Sequence, residues 1–276
     1  MLTVSELFIY PIKSLGGISV ASAMVTDRGF QYDRRWMLVD ENNHFLTQRE
    51  FEAMALLQVE LISEGLKIYH KKNIHSPIII PFSPETNEKA NVEIWDDSCE
   101  AQFVSRIADE WFSDMLFLKC RLVYMPGSTK RCVDKSYAFN KEITGFSDAF
   151  PFLIIGQSSL NDLNSRLTEL LPINRFRPNI VFTGGRPFEE DVMEHFTINH
   201  INFYGVKLCA RCLITTINQD NADKAKEPLQ TLATYRRKNN KIYFGQNVLH
   251  NDAGKISVGD TIEIIKANAS KAFNNS

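Results

Sequence analysis

The residues best suited to chemistry lie in Leu208-Cys209-Ala210-Arg211-Cys212-Leu213-Ile214-Thr215-Thr216, where two cysteines stand three positions apart and an arginine precedes the second. A thiolate is the form of cysteine that ligates metals, and a neighbouring cation favours that form. Arg211 is therefore expected to keep Cys212 deprotonated or to bind an anion beside it. Two blander readings stand next to this one. A free cysteine also serves as a small core hydrophobe, and a Cys-x-x-Cys is half of a zinc site. No second Cys-x-x-Cys occurs, so the zinc reading lacks its other half. The remaining chemistry is cationic. Lys13-Ser14 opens the turn Lys13-Ser14-Leu15-Gly16-Gly17, where backbone amides and an ammonium can meet an anion. Arg34-Arg35 follows Asp33, and Arg175 and Arg177 flank Phe176 ahead of Pro178-Asn179. A cation in a turn is usually only solvated, so these gain meaning only if one ligand explains them together. The six histidines lack ligand spacing, and Phe188-Glu189-Glu190-Asp191 reads as a solvated acidic loop. No phosphate loop, nucleophile elbow or dinucleotide fingerprint is present.

These residues need a scaffold, and 276 residues allow two domains at roughly 100–200 each. With 44% hydrophobic and 23% charged residues the chain has an ordinary globular composition. A net charge of −2 argues against a nucleic-acid partner. Five scattered cysteines do not make a disulfide scaffold and fit a reducing, cytoplasmic setting. The N-terminus lacks the pattern of a signal peptide, and no run of about 18 apolar residues predicts a membrane span.

The pattern predicts an α+β, strand-rich chain: a small β-barrel-like domain over 1–120, a second strand-rich domain with covering helices over 121–268, and a frayed tail over 269–276. Strands are expected at Leu2–Tyr10, Ile18–Thr26 and Arg35–Asp40, with a hairpin around Ser63-Glu64-Gly65. Phe103, Ile107, Trp111 and Phe112 recur at helical spacing, which predicts a helix over 101–117. In the second half, Phe150–Gly156 reads as a buried strand. Ser158 is expected to cap a leucine-bearing helix that Pro172 ends, and a strand runs over Arg175–Phe182. Arg236-Arg237-Lys238 suits the C-terminus of a short helix, and a closing strand pair turns at Gly259-Asp260.

Tyr10-Pro11-Ile12-Lys13-Ser14, Asp33-Arg34-Arg35-Trp36, Phe176-Arg177-Pro178-Asn179-Ile180, Cys209-Ala210-Arg211-Cys212 with Thr215-Thr216, and Phe244-Gly245-Gln246-Asn247 occur in this order. Together they resemble the molybdenum cofactor sulfurase C-terminal (MOSC) family with its N-terminal β-barrel domain, and within it the amidoxime-reducing proteins of mitochondria and their bacterial relatives. The resemblance spans about Leu2 to Ile265. It implies a molybdenum–molybdopterin cofactor with Cys212 on the metal, and cofactor-binding roles for Lys13, Ser14, Arg34, Arg177, Asn179 and Arg211. It also implies an acidic residue, Asp148, near the metal, acting in catalysis by orienting substrate or relaying a proton. The implied activity is reduction of small N-hydroxylated compounds with electrons from a separate flavin or iron–sulfur protein. The alternative is a carrier of the cofactor, or of sulfur on Cys212. The chain departs from the family at Ala149-Phe150 and at Ile217-Asn218-Gln219-Asp220, both expected to shape the pocket. The iron–sulfur domain that some bacterial relatives carry at the C-terminus is not expected here, so the electron donor is expected to be a separate protein.

Overall fold

The computed structural model describes residues 1–273, with the backbone alone at 74 and 75. The first strand, Leu2–Ile9, buries Val4, Leu7 and Ile9. It pairs antiparallel with Ile180–Thr183 on one side and Thr261–Ala267 on the other. From there the sheet continues through Met193–Ile198, Ile201–Ala210 and Lys241–His250 to Phe152–Gly156, which returns in parallel to Ile180–Thr183. The ring is closed, so these strands have no open edge. Its interior is filled by Phe30, Phe152, Phe196 and Phe203 with aliphatic neighbours, the phenyl rings meeting edge-on or stacked.

The other strands build smaller sheets. Trp36–Val39, Arg121–Tyr124, Asp97–Phe103 and Lys89–Ile94 form an antiparallel four-stranded sheet, and Leu57–Ile62, Gly65–His70 and Asn73–Pro81 a three-stranded one. The expected hairpin at Gly65 is there, with φ 152 at the glycine. The helix Arg106–Leu116 packs Ala108 and Phe112 into the core that these sheets share with Trp36. The architecture is α+β and strand-rich, as the pattern predicts.

Several local expectations are corrected. Residues 97–103 are strand, and the helix starts only after Ser105, whose hydroxyl accepts from Ala108 N–H at 3.2 Å. Ile107 is therefore exposed (68%), off the buried face. The leucine-bearing helix is shorter, Gln157–Asn164, and Leu170 lies exposed beyond it. Asn164 ends it by exchanging side-chain hydrogen bonds with the backbone of Leu171, while Ser158 donates to Gly185 O instead of capping. The strand expected from Arg175 begins only at Ile180, after a 3₁₀ turn over Ile173–Phe176. Gly254–Ser257 and Thr261–Ala267 are not partners: the first pairs with Ser22–Thr26, the second joins the barrel. Residues 188–191 are not a solvated loop, since Glu190 and Asp191 are buried. Arg236 is buried too, donating to Asp191 Oδ2 at 2.7 Å instead of capping a helix. The last strand ends at Ala267, the expected tail opens with a 3₁₀ turn over Ala269–Lys271, and residues 274–276 lie outside the described residues.

Candidate active site

The chain leaves its first strand at Tyr10, whose N–H donates to Asp33 Oδ1 at 2.7 Å and whose hydroxyl donates to Pro178 O at 3.0 Å. Its buried ring is sandwiched by the guanidiniums of Arg34 and Arg177, 4.4 and 4.3 Å from the centroid. Burial pushes the phenol well above its ordinary value against the pull of both arginines, so a neutral ring separates two like charges. Gly17 is required here because a Cβ would lie 2.3 Å from the Tyr10 ring. Ser14, Arg34 and Arg177 all hold left-handed backbone, with φ 67, 46 and 54. Such non-glycine outliers cost energy and cluster where ligands are gripped. Arg34 Nη1 donates to Asp33 Oδ2 at 2.6 Å and to Asn179 Oδ1 at 2.9 Å. Asn179 Nδ2 donates in turn to Phe8 O at 3.2 Å, so both polar ends of this side chain already hold the scaffold.

Cys212 sits just past the barrel strand Ile201–Ala210, with extended backbone (φ −122, ψ −178) leading into the turn Leu213–Thr216. Thr215 Oγ1 donates to Cys212 O at 3.0 Å. Buried Arg175 grips the same turn from beneath, donating to Thr215 O and Thr216 O at 3.0 Å each. The expected neighbour of Cys212 is corrected. Arg211 Nη1 donates to Cys209 Sγ at 2.8 Å and its Nη2 to Phe176 O. Successive side chains of an extended segment point to opposite sides, which puts Arg211 with Cys209 and away from Cys212. The cation at Cys212 is Arg49, whose Nε donates to Sγ at 3.1 Å from 163 residues away. Arg49 also donates to Asp148 Oδ2 at 2.9 Å and stacks on the Trp95 ring at 4.6 Å.

Asp148 is the anionic counterweight. It accepts from Lys13 Nζ at 2.6 Å, from Arg49, and from Trp95 Nε1 at 3.3 Å. Buried Arg131 fixes its loop by donating to Gly145 O, Ser147 O and Asp148 O. Desolvation works against the Asp148 carboxylate, but Lys13 and Arg49 outweigh it and hold its pKa well below the usual range. The side chain is about half exposed (53%), so water screens part of that pull. Burial lowers the Lys13 ammonium to about 8 even though Asp148 pulls it upward. Burial likewise lowers Arg177 to about 10, which leaves it charged at neutral pH.

The eight residues to which the resemblance gives site roles line one open cleft of about 870 Å³, whereas Arg35 and Arg175 do not. Five cations (Lys13, Arg34, Arg49, Arg177 and Arg211) face it with one carboxylate, Asp148, in a chain whose net charge is −2. Cys209 and Cys212, both partly exposed, open into the same space. Mitochondrial amidoxime-reducing component 1 of Mus musculus is 32% identical over 284 residues, covering 95% of this chain and 82% of the relative. Residues 1–119 match the MOSC N-terminal beta barrel domain and residues 141–263 the MOSC domain. The chain belongs to the MOSC family. Other MOSC relatives include mitochondrial amidoxime reducing component 2 of Homo sapiens, 31% identical over 245 residues, covering 85% of this chain and 72% of the relative. Molybdenum cofactor sulfurase of Oryza sativa subsp. japonica is 31% identical over 265 residues, 87% of this chain but 31% of that relative. No helix among the described residues of this MOSC protein is long and apolar enough to cross a membrane. Arg49 and Trp95 carry no local sequence signal, because their contacts to Cys212 and Asp148 arise only when distant loops meet.

Proposed function

We propose that this MOSC protein binds a molybdenum–molybdopterin cofactor and reduces N-hydroxylated compounds with electrons from a separate flavin or iron–sulfur protein. The observation that carries the proposal is a partly exposed thiol in a cleft with four more cations than carboxylates (five less one). The donor set fits such a ligand. Arg211 Nε is buried with no hydrogen-bond partner. Arg177 is buried, and among the described residues its guanidinium rests on the Tyr10 ring without a hydrogen bond. An unanswered buried donor is costly unless an anion meets it, and the Arg177 guanidinium lines the same open cleft. Arg177, Arg211, Lys13 and Arg34 would hold the phosphate, with bidentate geometry available to the arginines. Ser14 would add a hydroxyl at the same turn, and Asn179 would act through Arg34. Cys212 would be the thiolate ligand, a soft donor suited to a metal already bound by sulfur.

When bound, such a cofactor supplies the two-electron redox change. Removing oxygen from an N-hydroxyl group consumes two electrons and two protons and releases water. An ionised Asp148 accepts hydrogen bonds and orients the substrate; it is not the acid at neutral pH. The protons would come from solvent, which reaches the half-exposed Asp148 side chain. The likeness to molybdenum cofactor sulfurase favours a second reading, a carrier of the cofactor or of sulfur on Cys212. Turnover separates the two. Fully loaded protein given reduced viologen should convert an amidoxime to its amidine, and failure with full molybdenum occupancy would favour the carrier.

A further inference from the structure

Beside the cationic cleft lies a second cavity of opposite character, about 930 Å³. Phe45, Phe51, Leu118 and Trp95 supply its apolar surface, and Asp40, Glu50 and Glu93 its charge, with no lysine or arginine among the described lining residues. Phe45 and Trp95 meet edge-on at 4.8 Å and form the wall between the two cavities. On the cleft side, Lys13 Nζ stands 5.2 Å from the Phe45 ring and Arg49 lies on the Trp95 ring, and both cations are engaged by Asp148. His44 faces the acidic side, with Nε2 at 2.8 Å from Glu93. Trp95 is the unusual element. It turns the two-residue hairpin between Lys89–Ile94 and Asp97–Phe103 with φ 55, a place that favours Asn or Gly. A bulky residue with positive φ is an outlier, and such strain is retained at ligand clamps. The ring also stays about half exposed (50%) although it is the largest side chain at the rim.

The geometry points to a substrate subsite on the Trp95–Phe45 wall, which takes a flat aromatic group carrying a positive charge. The ring would stack on Trp95 and the cation would face Glu50 and Glu93, while the reducible end lies toward Arg49 and Cys212. The choice of substituent rests on the reductase reading, but the subsite is tested by binding alone. The probes are 4-(aminomethyl)benzamidoxime and its neutral 4-methyl analogue, titrated calorimetrically into oxidised, molybdenum-loaded protein with no reductant present. The ammonium-bearing compound should bind at least about tenfold tighter, and a Glu50→Gln/Glu93→Gln variant should shrink that preference to about twofold. Trp95→Asn suits the left-handed backbone, so it should fold normally, keep its molybdenum, and weaken both compounds about tenfold or more. Equal affinity for the two probes, or unchanged affinity in Trp95→Asn, would overturn the subsite. Absence of turnover with every N-hydroxy compound would count against the reductase reading and leave these binding results readable.

Discussion

Glu190→Gln should make the protein more stable at pH 8 and flatten its stability between pH 5 and 8. Glu190 is fully buried; Ser159 Oγ donates to its Oε2 at 2.8 Å, and its Oε1 has no partner. Burial, with the charge of Asp191 next to it, pushes the carboxyl from 4.5 up to about 7. A raised folded-state pKa means that the folded protein holds this proton more tightly than the unfolded chain. The stabilisation is therefore fully present below about pH 4.5 and is lost as pH rises through about 7. That interval corresponds to roughly 3 kcal/mol at 1.36 kcal/mol per pH unit. Glutamine keeps the acceptor for Ser159 and cannot ionise, so the variant should gain up to roughly 3 kcal/mol over the parent at pH 8 and almost nothing near pH 4.5. For a chain of this size that is about 5–10 °C in Tm. Urea unfolding of both proteins from pH 4.5 to 8.5 reads the effect, because titrating groups that do not interact with Glu190 cancel in the difference. Parallel curves, or a variant that is less stable at pH 8, would show that Glu190 is ionised in the folded state and refute the reasoning.

Cys212→Ser should abolish reductase activity and Cys209→Ser should keep most of it, since Cys209 already answers Arg211; turnover of an amidoxime by the two variants checks this. Lys13→Met should lower molybdenum occupancy at least about tenfold while leaving the Tm of cofactor-free protein nearly unchanged, because Asp148 keeps Arg49 and water as partners. Arg34→Ala should also lower occupancy but destabilise the fold by about 3–5 kcal/mol, because buried Asp33 then loses its cation. Purified protein given NADH alone should be inactive, and adding a reduced viologen or a flavin reductase with an iron–sulfur partner should start turnover, measured as amidine formed.

The cations and the thiol were legible because each sits in a short run with its own character: Lys13-Ser14 in a glycine turn, Arg177 before Pro178-Asn179, Cys212 after a β-rich stretch. That they share one cleft was legible only through the resemblance, since Lys13 and Asp148 meet across 135 residues. What sequence adjacency got wrong, it got wrong for a geometric reason. Arg211 neighbours Cys212 in the chain, but alternation along an extended segment turns it to Cys209, and a loop from the other half of the protein brings Arg49 instead. Phe103 fits a helical period with Trp111 but pairs as strand with Val123, and the two-residue turn at Trp95-Asp96, which has neither glycine nor asparagine, hides the preceding hairpin. The acidic run at Glu189–Asp191 looks solvated until Ser159 and Arg236, from elsewhere in the fold, close over it.

We infer that the cationic cleft holds a molybdenum cofactor on Cys212. The most direct test of this inference is the molybdenum content of the protein, parent and Cys212→Ser, purified from a host that makes molybdopterin. About one molybdenum per chain is expected in the parent and a clear loss in the variant, because an alcohol is a poor substitute for a soft thiolate. Parent protein without molybdenum, or a variant loaded as fully as the parent, would contradict it.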